Sequence, residues 1–330
     1  MIKLVLSDMD NTLIPFGCER VSPRTIAAIH ACQEQGIDFG PASGRDRGEI
    51  SSFFSGDASC YNIGVMVNGQ RVYYLGEVVY EKTLPYDDLR AVERTVAPLA
   101  GCAFITYRDN NFGDWVGEPR ERLGDMYDRA FMCGGRHHEM LPDYPVVKAG
   151  IVCLDPELLP QLQHQLSELC PDLIFPNTVV NWMDVSLRDW NKGDGVKILQ
   201  RVLGLADEEI CVFGDADNDL GMFAAVPNSC AMANANDNAR RAARWHVGAS
   251  AEDGVAIALE QIAEAARIHN ETGEDVPPAF MRAGDGGAGA TDDVLSEAGT
   301  SIGTGIGTGI GVDTGTGTGI GTGIGTAKLG

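Results

Sequence analysis

Two carboxylates two residues apart, Asp8 and Asp10, stand directly behind an apolar, β-forming run at residues 2–7. Where a chain leaves a strand, side chains at i and i+2 can both turn toward one ligand. One such carboxylate can attack phosphorus, which splits hydrolysis into formation and breakdown of an aspartyl phosphate. The other can protonate the leaving oxygen and then take a proton from water. Asp also serves as a turn cap, and the pair alone does not separate the two uses. A second acidic cluster does. Asp215, Asp217, Asn218 and Asp219 follow another apolar run at residues 209–213, and parallel strands open their carboxyl ends on one edge. Oxygen-rich clusters that share a site with phosphate suit Mg²⁺, which restrains repulsion between a carboxylate nucleophile and its anionic target. The spacing of Asp215, Asp217 and Asp219 also begins like a calcium loop, yet the sixth position lacks glycine and the twelfth is Val226 rather than glutamate.

Two further segments offer anion contacts. Ser43-Gly44-Arg45 closes an apolar run at residues 37–42; the Ser43 hydroxyl and nearby N–H groups can hold phosphate oxygens, and Gly44 permits close approach. Lys192, in Asn191-Lys192-Gly193, begins a helical stretch, where the helix terminus and an ammonium together favour an anion. The alternative for any single lysine is a solvated surface position.

The elements that must position these residues are legible. Residues 2–7, 37–42 and 209–213 read as strands buried on both faces. Ser22-Pro23 reads as an N-cap and first helical position, with a helix through residues 25–35 stopped by Gly36; further helices are expected over residues 49–54 and 193–203. This alternation predicts an α/β fold, a doubly wound, Rossmann-like parallel sheet. From Val65 short strands appear, with Asn68-Gly69 as a hairpin signal. Residues 83–187 read as an inserted α/β cap domain, with helices at 85–100 and 156–169 and strands at 102–107, 148–154, 173–175 and 179–185. Residues 1–82 and 188–265 then form the core domain. Residues 266–330, rich in Gly, Thr and acidic residues, bury too little apolar surface to offset ordering entropy and are expected to be a low-complexity, disordered tail.

The formal charge of −22 over 330 residues repels phosphate backbones and anionic membranes, which points away from nucleic-acid and membrane partners and toward a small ligand. Nine cysteines without a C-x-x-C pair fit buried, reduced thiols. No signal peptide and no run of 18 apolar residues is present, so a soluble, cytoplasmic protein is expected. No protein partner is inferable.

The order strand-Asp8-x-Asp10, strand-Ser43-Gly44-Arg45, Lys192-Gly193 before a helix, and strand-Gly214-Asp215-x-x-Asn218-Asp219 resembles the four motifs of the haloacid dehalogenase-like hydrolases. Residues 231–235 and 252–256 look like segments of the Cof-like subgroup, in which a large α/β cap lies between the second and third motifs. The resemblance implies a Mg²⁺-dependent phosphatase of a small phosphorylated metabolite, such as a sugar phosphate. Asp8 is then nucleophile and metal ligand. Asp10 is general acid/base and gives its carbonyl to the metal; Asp215 completes the protein ligands. Ser43 holds the phosphoryl group, Lys192 orients Asp8, and Asp219 and Asn218 support metal or substrate. Thr12 steadies the loop, and Gly44 and Arg45 meet substrate or cap. Asn11 stands where glycine is commoner, and serine rather than threonine stands at 43. Other readings are a phosphotransferase or mutase with the same intermediate, a phospho-accepting signalling protein, and a scaffold. In the cap, Arg108, Asp109, Asn110, Arg136, His137, His138, Asn177 and Asn181 are candidate substrate contacts, with the two histidines read as a solvated pair and Trp115 and Trp182 as core.

Overall fold

The computed structural model describes residues 1–108, 113–124 and 135–282. Asp109, Asn110 and the expected disorder beyond residue 282 lie outside these.

The strand Leu4–Ser7 is an inner strand of a five-stranded parallel sheet. Asp38–Pro41 flanks it on one side; on the other come Ile210–Gly214, Asn228–Met232 and Trp245–Val247. All four residues of Leu4–Ser7 are buried, as an apolar run between two covered faces requires. The chain moves outward from Leu4–Ser7 in one direction first and returns on its other side later, so the order reverses between Leu4–Ser7 and Ile210–Gly214. That is the position where sheets of this kind bind ligands. The Ser22 side chain caps the helix Pro23–Glu34 by accepting from Thr25 N at 3.1 Å. This helix packs on the final one, Gly254–Thr272.

A second sheet is antiparallel except at one edge. Its order is Leu173–Ile174, Trp182–Leu187, Lys148–Cys153, Cys102–Tyr107, Gly113–Gly117 and Arg136–His137, the last pair parallel; Asn177–Val179 also pairs with Trp182–Leu187. Period-two alternation divides its faces. Phe104 and Ile151 join the helices Tyr86–Val96 and Leu159–Leu169 in one apolar cluster, while Ala103, Ile105, Val152 and Trp115 form another. The expected strand at 179–185 is two strands, because Asn181 turns the chain at φ 68°. Gly113–Gly117 and Arg136–His137 were not expected, their short runs giving little periodic signal.

The second sheet meets the segments that follow the Ser43 turn in part through polar contacts. Gln70 Nε2 donates to Lys82 O at 3.2 Å and to Val147 O at 2.9 Å, and Lys148 Nζ lies 2.5 Å from Glu49 Oε2. The boundary expected at residue 265 falls inside the last helix, which continues to Thr272. Phe280 and Met281 also pack against the core, with the Phe280 ring centroid 6.4 Å from that of Phe213.

Asn68-Gly69 does join antiparallel strands, Gly64–Met66 and Arg71–Tyr74. Beside it the buried Arg71 guanidinium pairs with Asp46 and Glu81, and Tyr73 Oη donates to Asp46 Oδ1 at 3.1 Å. Breaking a buried pair by removing one partner strands the other charge and costs about 3–5 kcal/mol. Arg71→Met is therefore expected to lower unfolding free energy by about that amount in urea titration, whereas loss of under about 1 kcal/mol would show that the pair behaves as a surface one.

Candidate active site

Parallel register places Ser7 opposite Phe213, so the chain leaves both strands at one edge with Asp8 and Asp215 next in line. Lys192 crosses to them from the helix Lys192–Leu203, whose start is fixed by a capping box: Asn191 Oδ1 accepts from Gly193 N at 2.8 Å, and Asp194 Oδ2 from Asn191 N at 2.8 Å. Its ammonium is fully buried, 2.5 Å from Asp8 Oδ1 and 2.6 Å from Asp219 Oδ1. The solvated-lysine alternative is thereby excluded.

Asp219 is committed elsewhere as well. Its Oδ2 accepts from Asp215 N at 2.9 Å and Ala216 N at 3.0 Å, so both oxygens are engaged. Its side chain lies on the bare backbone of Gly214, where a Cβ would come within 2.5 Å of Asp219 Cγ. Thr12 Oγ1 donates to Asp215 Oδ1 at 2.8 Å, tying the first loop to the last.

Carboxylate oxygens of Asp8, Asp215 and Asp219 lie within 4.8 Å of one another. One ammonium cannot offset three buried carboxylates. Burial raises Asp8 well above the usual carboxylate range, against the downward pull of Lys192, with Asp219 and Asp215 pushing further up. Asp215 is pushed up to about 6, again chiefly by burial. Burial alone would lower Lys192, but Asp219 and Asp8 outweigh it and hold the ammonium charged. The cluster is short of positive charge, which a divalent cation on oxygen ligands would supply.

Asp10 lies outside this cluster. Arg45 takes both of its oxygens, at 3.0 Å each. Ser43 Oγ accepts from Arg45 N at 3.2 Å, and Gly44 lies against the Asn68 side chain. Asn218 is exposed and takes no part in the hydrogen bonds of the cluster. Asn11 has φ 61°, left-handed backbone that glycine adopts freely and Asn tolerates, so its departure from the commoner residue keeps the turn.

Several supporting residues escaped the sequence. Val67, Asn68 and Gly69 all have positive φ, at 49°, 49° and 92°. Val67 N and Asn68 N donate to Arg45 O and Ser43 O, so the hairpin turn is the bed of the Ser43–Arg45 loop. A Cβ on Gly69 would stand 2.2 Å from Asn191 O. Asn234 Nδ2 donates to Asn11 O at 2.8 Å. The signals were present as Asn-Gly and Asn-Ala dipeptides, but their partners are far away in sequence. At the edge of the second sheet, His138 Nε2 meets the buried Asp114 Oδ1 at 2.8 Å and His137 Nε2 meets Gly117 O at 2.9 Å, so neither is simply solvated. Trp115 is buried as expected.

Residues 5–259 match the haloacid dehalogenase-like hydrolase family, and the chain belongs to it. Similar proteins include the 5-amino-6-(5-phospho-D-ribitylamino)uracil phosphatase YbjI of Escherichia coli K12, 27% identical over 79% of this chain and 96% of its own. The HMP-PP phosphatase of Klebsiella pneumoniae is 28% identical, covering 71% and 85%. Among solved structures, the subclass IIB sugar phosphatase BT4131 superposes with a TM-score of 0.65 at 20% identity, over 79% and 98% of the two chains; it shares the fold. The expected family, its Cof-like character and the phosphatase class of enzyme are borne out. No helix among the described residues is long and apolar enough to cross a membrane.

A carboxyl raised in the folded state binds more protons folded than unfolded. Its stabilising contribution is complete below about pH 4 and is lost as pH rises through the folded pKa. In EDTA the melting temperature is expected to fall from pH 4 to 7 through Asp8 and Asp215, the slope flattening in Asp215→Asn. Saturating Mg²⁺ at pH 7 is expected to restore the loss; a profile indifferent to both pH and Mg²⁺ would show that the cluster carries no charge deficit.

Proposed function

We propose that this chain is a Mg²⁺-dependent phosphatase that hydrolyses a small phosphomonoester through an aspartyl phosphate on Asp8. The observation that carries the reading is the buried Lys192 ammonium shared by Asp8 and Asp219 beside Asp215. Such an ammonium aims Asp8 and offsets charge that grows in the transition state. Asp8 and Asp215 would hold Mg²⁺ by side chains, with the Asp10 carbonyl and with Asp219 acting through its grip on Lys192. When bound, the ion offsets the charge of phosphate and nucleophile.

The Asp8 carboxylate attacks phosphorus while Asp10 gives a proton to the departing alcohol oxygen. Water then attacks the same phosphorus, Asp10 takes its proton, and the acyl phosphate breaks to free Asp8 and phosphate. Arg45 occupies both Asp10 oxygens, so proton transfer requires that pair to part. A phosphate entering the Ser43–Arg45 turn competes for the guanidinium and thereby frees Asp10. Residues 83–187, read as a cap, would exclude water from the first step. The names of the relatives, phosphatases of a ribitylamino-uracil phosphate and of HMP-PP together with a sugar phosphatase, favour phosphorylated metabolites as substrates. The unbridged thiols of the described cysteines suit a reducing cytoplasm.

Phosphate release from p-nitrophenyl phosphate, with Mg²⁺ and with EDTA, tests the reading. Asp8→Asn is expected to abolish metal-dependent release, and Lys192→Met to lower kcat by ~10²–10³-fold. Equal release from Asp8→Asn and the parent would sink Asp8 as nucleophile. With a sugar monophosphate, migration of the phosphate to a second hydroxyl in place of free phosphate would turn the assignment to a mutase.

A further inference from the structure

We propose that His30, Asp57 and Cys60 form a second metal site, taking one cation of the Zn²⁺ class and joining the first helix to the short turn that ends at Cys60. The site shares no residue with the acidic cluster of the active site. His30 lies in the helix Pro23–Glu34, while Asp57 caps the 3₁₀ turn Ala58–Cys60. In such a turn, side chains at i and i+3 eclipse one another, so the Asp57-x-x-Cys60 spacing stacks carboxylate and thiol toward the same side. His30 Nε2 lies 2.8 Å from Asp57 Oδ2 and 4.0 Å from Cys60 Sγ.

The donor set and its dimensions argue for this occupant. A thiolate, an imidazole and a carboxylate are the three ligand types of tetrahedral Zn²⁺. Bond lengths of about 2.0 Å to N and O and 2.3 Å to S put tetrahedral neighbours about 3.3 Å apart for N and O and about 3.5 Å for N and S. Each observed separation is therefore within about half an ångström of the bound arrangement. Asp57 is held from outside the site: its Oδ1 accepts from Ser59 N at 3.1 Å and Ser59 Oγ at 2.6 Å, leaving Oδ2 toward His30. Such outer contacts orient metal ligands. The Cys60 thiol is buried, whereas the His30 and Asp57 side chains are 45% and 33% exposed, which gives the ion an approach and leaves a fourth position to water. On binding, Cys60 releases its thiol proton to solvent, and the neutral imidazole coordinates through Nε2 with its proton on Nδ1. The surrounding charge of −22 concentrates cations at the surface.

Cobalt reports this chemistry directly, because a Co²⁺–thiolate bond gives a charge-transfer absorption that oxygen ligands do not. The full chain, stripped with chelator and held in excess Mg²⁺ to satisfy the acidic cluster, is titrated with Co²⁺ and the bound metal counted. One equivalent with a charge-transfer band is expected, displaced by Zn²⁺, with affinity at least tenfold weaker in His30→Gln and Asp57→Asn and the band gone in Cys60→Ser. Cys18→Ser, which alters an exposed thiol elsewhere, is expected to bind as the parent does. No charge-transfer band in the parent, or the same band in Cys60→Ser, would overturn the site. If Cys60→Ser fails to fold by circular dichroism, the other two variants decide: unchanged affinity in both overturns it equally. These readouts do not involve phosphate release, so failure here leaves the phosphatase reading untouched.

Discussion

A single buried ammonium organises the catalytic edge of this protein. Lys192 is fully buried and is held by Asp8 and Asp219, so its charge persists because two carboxylates converge on it. Those carboxylates come from segments far apart in the chain, and their positions follow from parallel pairing between Leu4–Ser7 and Ile210–Gly214. The sheet register is thus written into the electrostatics of the site. Neither strand can slip relative to the other without leaving a buried charge without its partner.

Around this centre the protein builds a shell of hydrogen bonds that tie loop to loop. Thr12 ties the loop of Asp8 to that of Asp215, Asn234 holds the carbonyl of Asn11, and the hairpin turn at Val67–Gly69 lies under Ser43–Arg45. Two consecutive non-glycine residues with positive φ, Val67 and Asn68, are costly. Their expense is offset where they bring two otherwise separate segments, the Ser43 turn and the Lys192 helix start, against one backbone.

The strands flanking the site and the residues at their ends were legible in the sequence because they obey strong local rules. Leu4–Ser7 is apolar throughout, and Ser22-Pro23 caps a helix as its residue types dictate. What the sequence hid was partnership. Asp10 read as a group of the cluster, but the structure pairs it with Arg45, a contact 35 residues apart that periodicity cannot reveal. Asp219 read as support for a metal and proved to be the second anchor of Lys192. His137-His138 looked solvated because Asp114, which looks like an ordinary polar strand residue, is buried beneath His138. The end of the globular part was placed too early because Gly273 and the prolines after it mask the return of Phe280 to the core.

The contact between Lys148 and Glu49 joins the second sheet to the helix that follows the Ser43 turn. Lys148, ahead of Arg45, holds Glu49 below the usual carboxylate range against the opposing effect of burial. Any parting of the two sheets therefore strips Glu49 of its ammonium while Arg45 remains within Coulomb reach. Arg45 is then partly neutralised just as the cleft widens, and an anion resting on it loses attraction at that moment. If the proposed reaction leaves phosphate on Arg45, parting of the Lys148–Glu49 contact would loosen it, an effect that ambient salt screens without touching any reacting group.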